Sequence, residues 1–230
     1  MYNESAIAVD SAVKYSRALD DMFGDDYELI YCDDGSRDGC ADMIRGLELP
    51  RVRVIGYADN RGKGSAVRHA VLAAEGDIIL YTDCDCAYGT DKIGEAVRVF
   101  EGTPDADVVI GSRNLGADGY EGYTFMRRLM SKTYIIVIKV LAGFRHSDSQ
   151  CGFKAWRRDA AKAVFAKCET DGFAFDIEAL MIAEKLGYRV TEMPVRVINH
   201  ADASSKVSPI RDTIRMLRDL RHIKKHVKTI

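Results

Sequence analysis

Two aspartates one residue apart, Asp83 and Asp85, stand at the end of an apolar run in the segment Gly76–Gly89. The run Ile78–Tyr81 has the composition of a buried parallel strand, and the residues after such a strand enter the ligand crevice at the carboxyl edge of the sheet. Two carboxylates this close repel each other unless a cation lies between them. A hard divalent ion such as Mg²⁺ or Mn²⁺, completed by substrate phosphates, resolves the repulsion. A solvated acidic turn is the alternative.

A second acidic pair, Asp33 and Asp34, follows the apolar run Leu29–Cys32. It therefore occupies a strand-to-helix turn at the same edge of the predicted sheet. A carboxylate at this turn can accept a hydrogen bond from a base N–H or a ribose hydroxyl. Helix capping by Ser36 or Asp38 is the alternative, although a cap at Asp38 leaves the acidic pair unexplained.

A glycine-rich turn, Asn60–Gly64, follows the predicted strand Val52–Ile55. Its glycines let the backbone approach a ligand closely at a helix N-terminus, where anions are stabilised. Arg61 and Lys63 add positive charge there. The full phosphate-loop signature is absent, so an ordinary turn with solvated charges remains the alternative.

The elements that position these turns alternate between helix and strand patterns through the first half of the chain, which predicts a parallel sheet with helices on both faces. There the pattern predicts helices near Ser5–Met22, from Asp38, at Lys63–Ala74 and at Asp91–Phe100, and strands at Glu28–Cys32, Val52–Ile55, Ile78–Tyr81 and Asp107–Gly111. In the less regular second half it predicts helices near Phe125–Leu141, Arg158–Phe165, Phe175–Leu186 and Pro209–His226, and strands at Gly152–Trp156 and Arg189–Val197.

The chain opens directly on a helix pattern after Met1–Glu4, whereas a doubly wound sheet normally opens on a strand. The predicted sheet is therefore short of one central strand. With 230 residues, 47% of them hydrophobic, the chain is long enough for a single α/β domain. We expect a nucleotide-binding half at about 1–115, an acceptor half at about 116–205 and a C-terminal helix at about 206–230.

Seven motifs occur in the order and approximate spacing of family 2 glycosyltransferases of the GT-A fold. They are YNE from Tyr2, DDGSRDG, NRGKGSAVRHA, DCD, SDSQCGFKAW, FAFDIEAL and SSKV. The chain resembles most closely the dolichyl-phosphate β-glucosyltransferases and related polyprenyl-phosphate glycosyltransferases, because its last three motifs are similar to theirs. The resemblance implies a Rossmann-like, three-layer α/β/α fold with a mainly parallel sheet, and this sequence departs from the family pattern in lacking the first strand.

The resemblance also implies roles for individual residues. It implies that the nucleotide-sugar donor contacts Tyr2, Glu4, Asp33, Asp34, Lys63, Asp83, Arg113 and Lys206, and that the metal is bound by Asp83 and Asp85. It implies catalytic roles for Asp176 and Asp85. It also implies acceptor or sugar contacts for Gln150, Lys154 and Glu178. A solvated helix start is the alternative for Asp176 and Glu178, and a strand-edge position is the alternative for Gln150 and Lys154.

The C-terminal segment Lys206–Lys228 is basic and amphipathic. It has eight Lys and Arg against two Asp, a balance of +6 that leaves −8 for the rest of a chain with a net charge of −2. Its apolar residues recur every three or four positions, at Ile210, Ile214, Leu217, Leu220, Ile223 and Val227. Such a helix packs on the core with a solvated charged face, or lies on anionic lipid. No aromatic stacking pattern accompanies the charge, so we expect no nucleic-acid partner.

The cysteines and apolar runs indicate the compartment. The six cysteines have neither zinc-finger spacing nor a disulfide pattern, which favours reduced thiols in the cytosol. No secretory signal opens the chain, and the longest strongly apolar run, Tyr134–Phe144, is too short to span a bilayer. These features indicate a soluble or peripheral protein, and together with the resemblance they predict a cytoplasmic protein that is peripheral at the inner face of the membrane.

The expected activity is inverting transfer of a hexose from a nucleotide-diphosphate sugar to a polyprenyl or dolichyl phosphate, dependent on Mg²⁺ or Mn²⁺. Ala87 and His200 stand where some mannosyl-type relatives have a further metal ligand and an arginine, which favours glucose from UDP-glucose. The alternatives are transfer to a hydroxyl of a cell-envelope glycan, and a nucleotide-sugar-binding module without turnover.

Overall fold

The structure is a computed structural model that describes residues 1–116, 143, 146–198 and 209–230. Its helices are α1 (Ser5–Phe23), α2 (Cys40–Arg45), α3 (Lys63–Ala73), α4 (Asp91–Gly102), α5 (Arg158–Phe165), α6 (Phe175–Lys185) and α7 (Pro209–Thr229). Its strands are β1 (Leu29–Asp34), β2 (Val52–Tyr57), β3 (Ile78–Tyr81), β4 (Val108–Ser112), β5 (Lys154–Arg157) and β6 (Val190–Pro194). The predicted elements within these residues are all present, with ends that differ by a few residues. The predicted helix Phe125–Leu141 and Lys206 lie outside them.

The strands form two sheets. β1 pairs in parallel with β2, from Leu29 opposite Val52 to Asp34 opposite Tyr57. The second sheet has the order β3-β5-β4-β6, in which β6 is parallel to β4 while β5 runs antiparallel to both its neighbours. The alternation that predicted parallel strands ends at β4, and the antiparallel strand comes from the second half, where that alternation is lost.

Helices cover both faces of the four-stranded sheet. Successive residues of a strand point to opposite faces, and β4 shows this clearly. Val108 and Ile110 pack in a cluster with residues of α3, α5, α6 and α7, whereas Val109 packs in a cluster with residues of α1 and α4. Full burial of a side chain of this size contributes about 1.5–3 kcal/mol. This three-layer packing holds the strand ends that carry the site.

A gap separates β1 from β3. Residues of both strands, of α1 and of α3 line one cavity of about 1990 Å³. At one end of the gap Met1 lies beside β1, where its amino group donates to the carbonyl of Cys32 (2.7 Å) and its carbonyl accepts from the backbone N–H of Asp34 (2.9 Å). Within the described residues no strand lies between β1 and β3.

The C-terminal helix packs on the core through the part whose side chains are described. Leu220, Ile223 and Val227 are buried in the cluster that contains α6. The Nε2 of His226 lies 2.8 Å from the carbonyl of Lys167 and donates to it. Leu220, Ile223 and Val227 are thus covered by protein, and Ile230 is partly buried against the same cluster. Within the described residues, no helix has the length and apolar character that a bilayer crossing requires.

Candidate active site

The carboxylate of Asp34 shapes the glycine-rich turn that begins α3. Asp34 is the last residue of β1 and is only 4% exposed. Its Oδ1 accepts from the backbone N–H groups of Arg61 (2.9 Å) and Gly62 (3.1 Å), and also from the hydroxyl of Tyr57 (2.7 Å). Its Oδ2 accepts from the side-chain amide of Asn60 (2.8 Å). Because the turn engages both oxygens, Asp34 acts here by holding the turn in place.

The N-terminal segment is clamped to the loop that follows β1. Asn3 donates its backbone N–H to the Oγ of Ser36 (2.9 Å), and its Oδ1 accepts from the N–H of Arg37 (2.9 Å). Asp38 accepts from the N–H of Ser5 (2.7 Å) and of Cys40 (3.2 Å), so it holds the first residues of both α1 and α2. Burial raises the pKa of Asp38, but these N–H donors outweigh it and lower the pKa to about 2.

Tyr2, Glu4 and Asp33 lie around this clamp. Tyr2 is 40% exposed, and it lines the large cavity together with Glu4. The Oδ1 of Asp33 accepts from the N–H of Ser36 (3.1 Å). The structure thus brings Asp33, Asp34 and the N-terminal residues to one place, as a nucleoside site requires. Their contacts with base and ribose stay a prediction.

Lys63 and Asp83 form an ion pair between the turn and the end of β3. The Nζ of Lys63, the first residue of α3, lies 2.5 Å from Oδ1 of Asp83, and each side chain is about one-third exposed. Burial lowers the pKa of Lys63, but the carboxylates of Asp83, Asp176 and Asp85 outweigh it and raise the pKa overall. The ammonium therefore stays charged among three carboxylates.

The donor set at Asp83 and Asp85 fits a hard divalent ion that also takes substrate oxygens. The Oδ1 of Asp85 accepts from the N–H of Ala87 (3.0 Å), which fixes the carboxylate at the cavity wall. Within the described residues there is no group of three or more His, Cys, Asp or Glu side chains that could hold a metal by itself. Mg²⁺ is typically held by one or two carboxylates plus substrate phosphates. The residues present match that mode of binding.

Gly152 is required for the position of Asp83. A Cβ atom on Gly152 would lie 2.4 Å from Oδ2 of Asp83, closer than any normal contact. The backbone N–H of Gly152 donates to the hydroxyl of Tyr88 (2.9 Å), which closes the same wall. The segment before β5 thus approaches Asp83 so closely that a larger residue than glycine at 152 would displace the Asp83 carboxylate.

Arg113 lines the cavity and is held by a buried partner. Its Nε and Nη2 donate to the two oxygens of Asp148 at 2.6 and 2.9 Å, and Asp148 is fully buried. Burial lowers the pKa of Arg113, but the bonds to Asp148 outweigh it and raise the pKa well above its usual value. A bidentate pair of this kind fixes the guanidinium plane, which places a permanent positive charge beside the cavity.

Asp176 lies in a buried network behind Lys63. Its Oδ1 accepts from Nζ of Lys154 (2.6 Å) and from the hydroxyl of Tyr81 (2.7 Å). Lys154 is fully buried and also donates to the carbonyl of Cys151 (2.5 Å). Asp176 is 5% exposed, and it is not among the described residues that line the cavity. Its catalytic role stays a prediction.

Glu178 supports the turn from the other side. It is 1% exposed and accepts from the N–H groups of Glu169 (3.0 Å) and Thr170 (2.7 Å). The same loop receives the N–H of Gly64 at the carbonyl of Asp171 (2.8 Å). Glu178 therefore acts on the site through this loop, and the predicted contact with acceptor or sugar is untested. Gln150 lies half-buried in the turn before β5.

Most of the sequence-predicted donor residues meet at one cavity. The predicted site residues among its lining are Tyr2, Glu4, Asp34, Lys63, Asp83, Asp85 and Arg113. Sequence reasoning missed Asp148, Gly152 and Tyr81, although the first two fall within the motif SDSQCGFKAW. The signal for Asp148 was its place in that motif, and Tyr81 stood at the end of the strand that leads to Asp83.

The comparisons with known proteins agree with this geometry. Residues 1–165 match the family described as Glycosyl transferase family 2. The chain is 33% identical over 203 residues to a dolichyl-phosphate beta-glucosyltransferase of Drosophila melanogaster, covering 84% of this chain and 62% of that protein. It is 29% identical over 208 residues to one from Dictyostelium discoideum, covering 86% and 62%. The chain thus spans 62% of the length of each of these relatives.

Solved structures share the fold. Glucosyl-3-phosphoglycerate synthase from Mycobacterium tuberculosis in complex with uridine diphosphate has a TM-score of 0.68 and 19% identity, over 99% of this chain and 78% of that one. A mannosyltransferase from Pyrobaculum calidifontis in complex with GDP-Man and Mn²⁺ has a TM-score of 0.61 and 18% identity, over 99% and 67%. The expected GT-A, Rossmann-like α/β fold is confirmed. The chain belongs to glycosyl transferase family 2.

Proposed function

We propose that this domain transfers glucose from UDP-glucose to a polyprenyl or dolichyl phosphate with inversion at the anomeric carbon. The relatives with 29–33% identity are named dolichyl-phosphate beta-glucosyltransferases. The observation that carries the proposal is the meeting of Asp83, Asp85 and Lys63 at the cavity where β3 ends. That arrangement suits a diphosphate, which needs positive charge and a metal ligand set at the same point.

The donor site combines a shaped turn with fixed charges. The turn held by Asp34 places the start of α3, with Lys63, at the cavity wall. Asp85 and Asp83 would hold a Mg²⁺ or Mn²⁺ ion together with the donor diphosphate, and the ion supplies charge neutralisation on the leaving group. Arg113, oriented by Asp148, adds a second positive group at the wall. These charges are in place before the reaction begins, which lowers their reorganisation cost.

The transfer step needs no strong general base when the acceptor is a phosphate. An acceptor phosphate oxygen is already anionic; it forms a bond to the anomeric carbon while the bond from that carbon to the donor diphosphate breaks. Nucleoside diphosphate leaves with the electron pair. A hydroxyl acceptor would need a base, and the candidate base Asp176 is buried beside Lys154 and does not line the cavity among the described residues, which favours a phosphate acceptor.

Contact with the membrane surface would be electrostatic. The exposed residues of the described part of α7 include Arg218, Arg221, Lys224, Lys225 and Lys228, whereas its apolar residues are buried. A basic residue near an anionic surface contributes about 1 kcal/mol to binding. We propose that this face holds the domain at the cytoplasmic, inner face of the membrane that carries the lipid phosphate.

An acceptor panel tests the proposal. The protein is supplied with labelled UDP-glucose or GDP-mannose, Mg²⁺ or Mn²⁺, and either polyprenyl phosphate or a glycan with free hydroxyls. The expected result is a lipid-linked product that contains glucose from UDP-glucose. If the glycan becomes labelled instead, the acceptor is a hydroxyl and not a lipid phosphate. Saturable UDP-glucose binding without any product would identify a binding module.

A further inference from the structure

The first N–H groups of α3 donate to the protein itself. The backbone N–H groups of Gly64 (2.8 Å) and Ser65 (3.3 Å) both donate to the carbonyl of Asp171. The first N–H groups of a helix have no partner within the helix, and they bind anions when they point at a ligand. Here the Asp171 carbonyl takes two of them, and Asp34 takes two more from the turn before the helix. These four groups are thus already engaged before a phosphate binds.

The glycines of the same turn make room for a loop of the protein, the α5–α6 loop (residues 166–174). A Cβ atom on Gly62 would lie 2.5 Å from the carbonyl oxygen of Asp171, and one on Gly64 would lie 2.4 Å from that of Thr170. Both distances are shorter than any normal contact, and Gly64 is buried. The close approach that these glycines permit is therefore an approach to the α5–α6 loop.

Arg68 ties this loop to α3. Its Nη1 donates to the carbonyl of Cys168 (3.1 Å), and its Nη2 donates to Oδ1 of Asp171 (2.7 Å). Glu178 holds the loop from the side of α6 by accepting from two of its N–H groups. The Asp171 carbonyl that receives the start of α3 is thus fixed by a guanidinium five residues further along the same helix.

Lys63 is the cation that the turn presents to the cavity wall at the second acidic pair. The guanidinium of Arg61, the other cation of the turn, lies over the ring of Tyr57, 4.6 Å from its centroid. The Nζ of Lys63 lies 2.5 Å from Oδ1 of Asp83, and Lys63 lines the cavity. Because Lys63 precedes Gly64, the contact with the α5–α6 loop sets the point from which its side chain extends.

We propose that the glycine-rich turn is a mount for the Lys63 side chain instead of a cradle of backbone N–H groups, and that Arg68 is a positioning residue that acts on a bound diphosphate through Lys63. Removal of Arg68 would free the α5–α6 loop to shift and would loosen the bonds from Gly64 and Ser65. The inference rests on the proposed function for the class of ligand, a nucleoside diphosphate.

A double-mutant cycle tests the inference, because two residues that act through one contact do not give additive losses. The affinity for UDP with Mg²⁺ is measured by calorimetry for wild type, Lys63→Met, Arg68→Ala and the double variant. Hydrogen exchange of the Gly64 and Ser65 amides is measured without nucleotide, together with the thermal midpoint.

Arg53→Ala is the matched control. Arg53 also donates to a carbonyl, that of Ala73 (2.7 Å), and also pairs with a carboxylate, that of Glu28 (3.0 Å). These contacts lie at the opposite end of α3, so the two variants lose similar bonds at different distances from Lys63.

Arg68→Ala is expected to weaken UDP binding by about tenfold and to speed exchange at Gly64 and Ser65 by about tenfold, whereas Arg53→Ala should do neither at a similar thermal midpoint. In the Lys63→Met background the loss of Arg68 should cost less than about twofold more. Full additivity, or unchanged UDP affinity in Lys63→Met, would overturn the proposal.

Two further outcomes are distinguishable. If Arg68→Ala does not fold, Arg68→Lys replaces it, since a lysine keeps the charge but has no fork for two acceptors. If the wild type binds no UDP, the proposed donor is wrong, and the exchange data alone decide whether Arg68 holds the turn. Exchange at Gly64 and Ser65 that is the same in wild type and in the Arg68 variant would then overturn the positioning role.

Discussion

Asp34 is the residue whose observed role departs most from the predicted one. Its carboxylate receives two backbone N–H groups of the turn before α3 and the Tyr57 hydroxyl. Replacing Asp34 with alanine removes the charged acceptor of these part-buried bonds, and a hydrogen bond to a charged group contributes about 1.5–3 kcal/mol. We expect Asp34→Ala to lower the free energy of unfolding by at least about 2 kcal/mol and to weaken UDP binding, measured by urea unfolding and calorimetry.

The neighbouring acid provides a matched control. Asp33 accepts one described bond, from the N–H of Ser36. Asp33→Ala should therefore cost far less stability than Asp34→Ala. Equal losses in the two variants would show that the turn does not depend on Asp34.

Gly152 offers a test of the position of Asp83. The methyl group of Gly152→Ala would lie 2.4 Å from Oδ2 of Asp83, so the carboxylate must move. We expect the rate of sugar transfer to fall by about tenfold or more, which corresponds to about 1.4 kcal/mol, while the melting temperature changes little. Gly102→Ala, where nothing lies within 4 Å of the added carbon, is the control. A Gly152→Ala variant with unchanged transfer would contradict the importance of this contact.

Residue types at strand ends predicted the site better than they predicted individual roles. The positions of Asp83, Asp85 and Lys63 follow from the rule that parallel strands present their carboxyl ends at one edge, and the structure brings them together. The burial of Asp176, Lys154 and Glu178 does not follow from local sequence. It depends on α6 packing against the sheet, and residues that are distant in the chain make those contacts.

Among the secondary-structure elements, the clamp between the N-terminal segment and the loop after β1 has a specific pH dependence. The pKa of Asp38 is about 2 in the folded state, below the usual value of about 3.9 for an unfolded chain. The ionised Asp38 carboxylate therefore contributes fully to the free energy of unfolding above about pH 5, and this contribution is lost as the pH falls toward 2. We expect the wild type to exceed Asp38→Asn in unfolding free energy at pH 7, with a difference that shrinks between about pH 4 and pH 2.

Urea unfolding at several pH values measures that difference. If the difference in unfolding free energy between wild type and Asp38→Asn stays constant down to pH 2, the charge of the Asp38 carboxylate does not contribute to stability. Ser5 amide exchange provides a local measure of the same bond.

Element types were predictable wherever the hydrophobic period was regular. Helix α5 has the predicted ends, Arg158–Phe165, because its apolar residues repeat with a helical period and α5 directly follows β5. The direction of β5 was not predictable, because its orientation depends on pairing with β3 and β4. Four residues carry no signal for antiparallel pairing by themselves.

At the scale of the whole molecule, buried residues of α7 contribute to stability, whereas its exposed residues contribute to the surface charge. Ile223 is 1% exposed in the main core cluster, whereas Lys224 is exposed. Ile223→Ala should lower the free energy of unfolding by about 2–5 kcal/mol, the usual cost of such a truncation. Lys224→Ala should leave stability within about 0.5 kcal/mol and weaken binding to anionic vesicles, measured by co-sedimentation.

The two variants control for each other. Vesicle binding that survives the removal of basic residues from this face but fails after Ile223→Ala would indicate that lipid contacts the apolar side of the helix. That result would contradict the packing of α7 on the core.

The most direct test of the proposed function is metal-dependent transfer of labelled glucose from UDP-glucose to polyprenyl phosphate by wild type, Asp85→Ala and Asp105→Ala. Asp105 is an exposed aspartate paired with Arg189 on the surface, so it serves as the matched control. The structure predicts transfer by wild type and Asp105→Ala with Mg²⁺ or Mn²⁺, and loss in Asp85→Ala or after chelation. Transfer that persists in Asp85→Ala, or that needs no divalent ion, would contradict the assignment of Asp83 and Asp85 to the metal and the donor diphosphate.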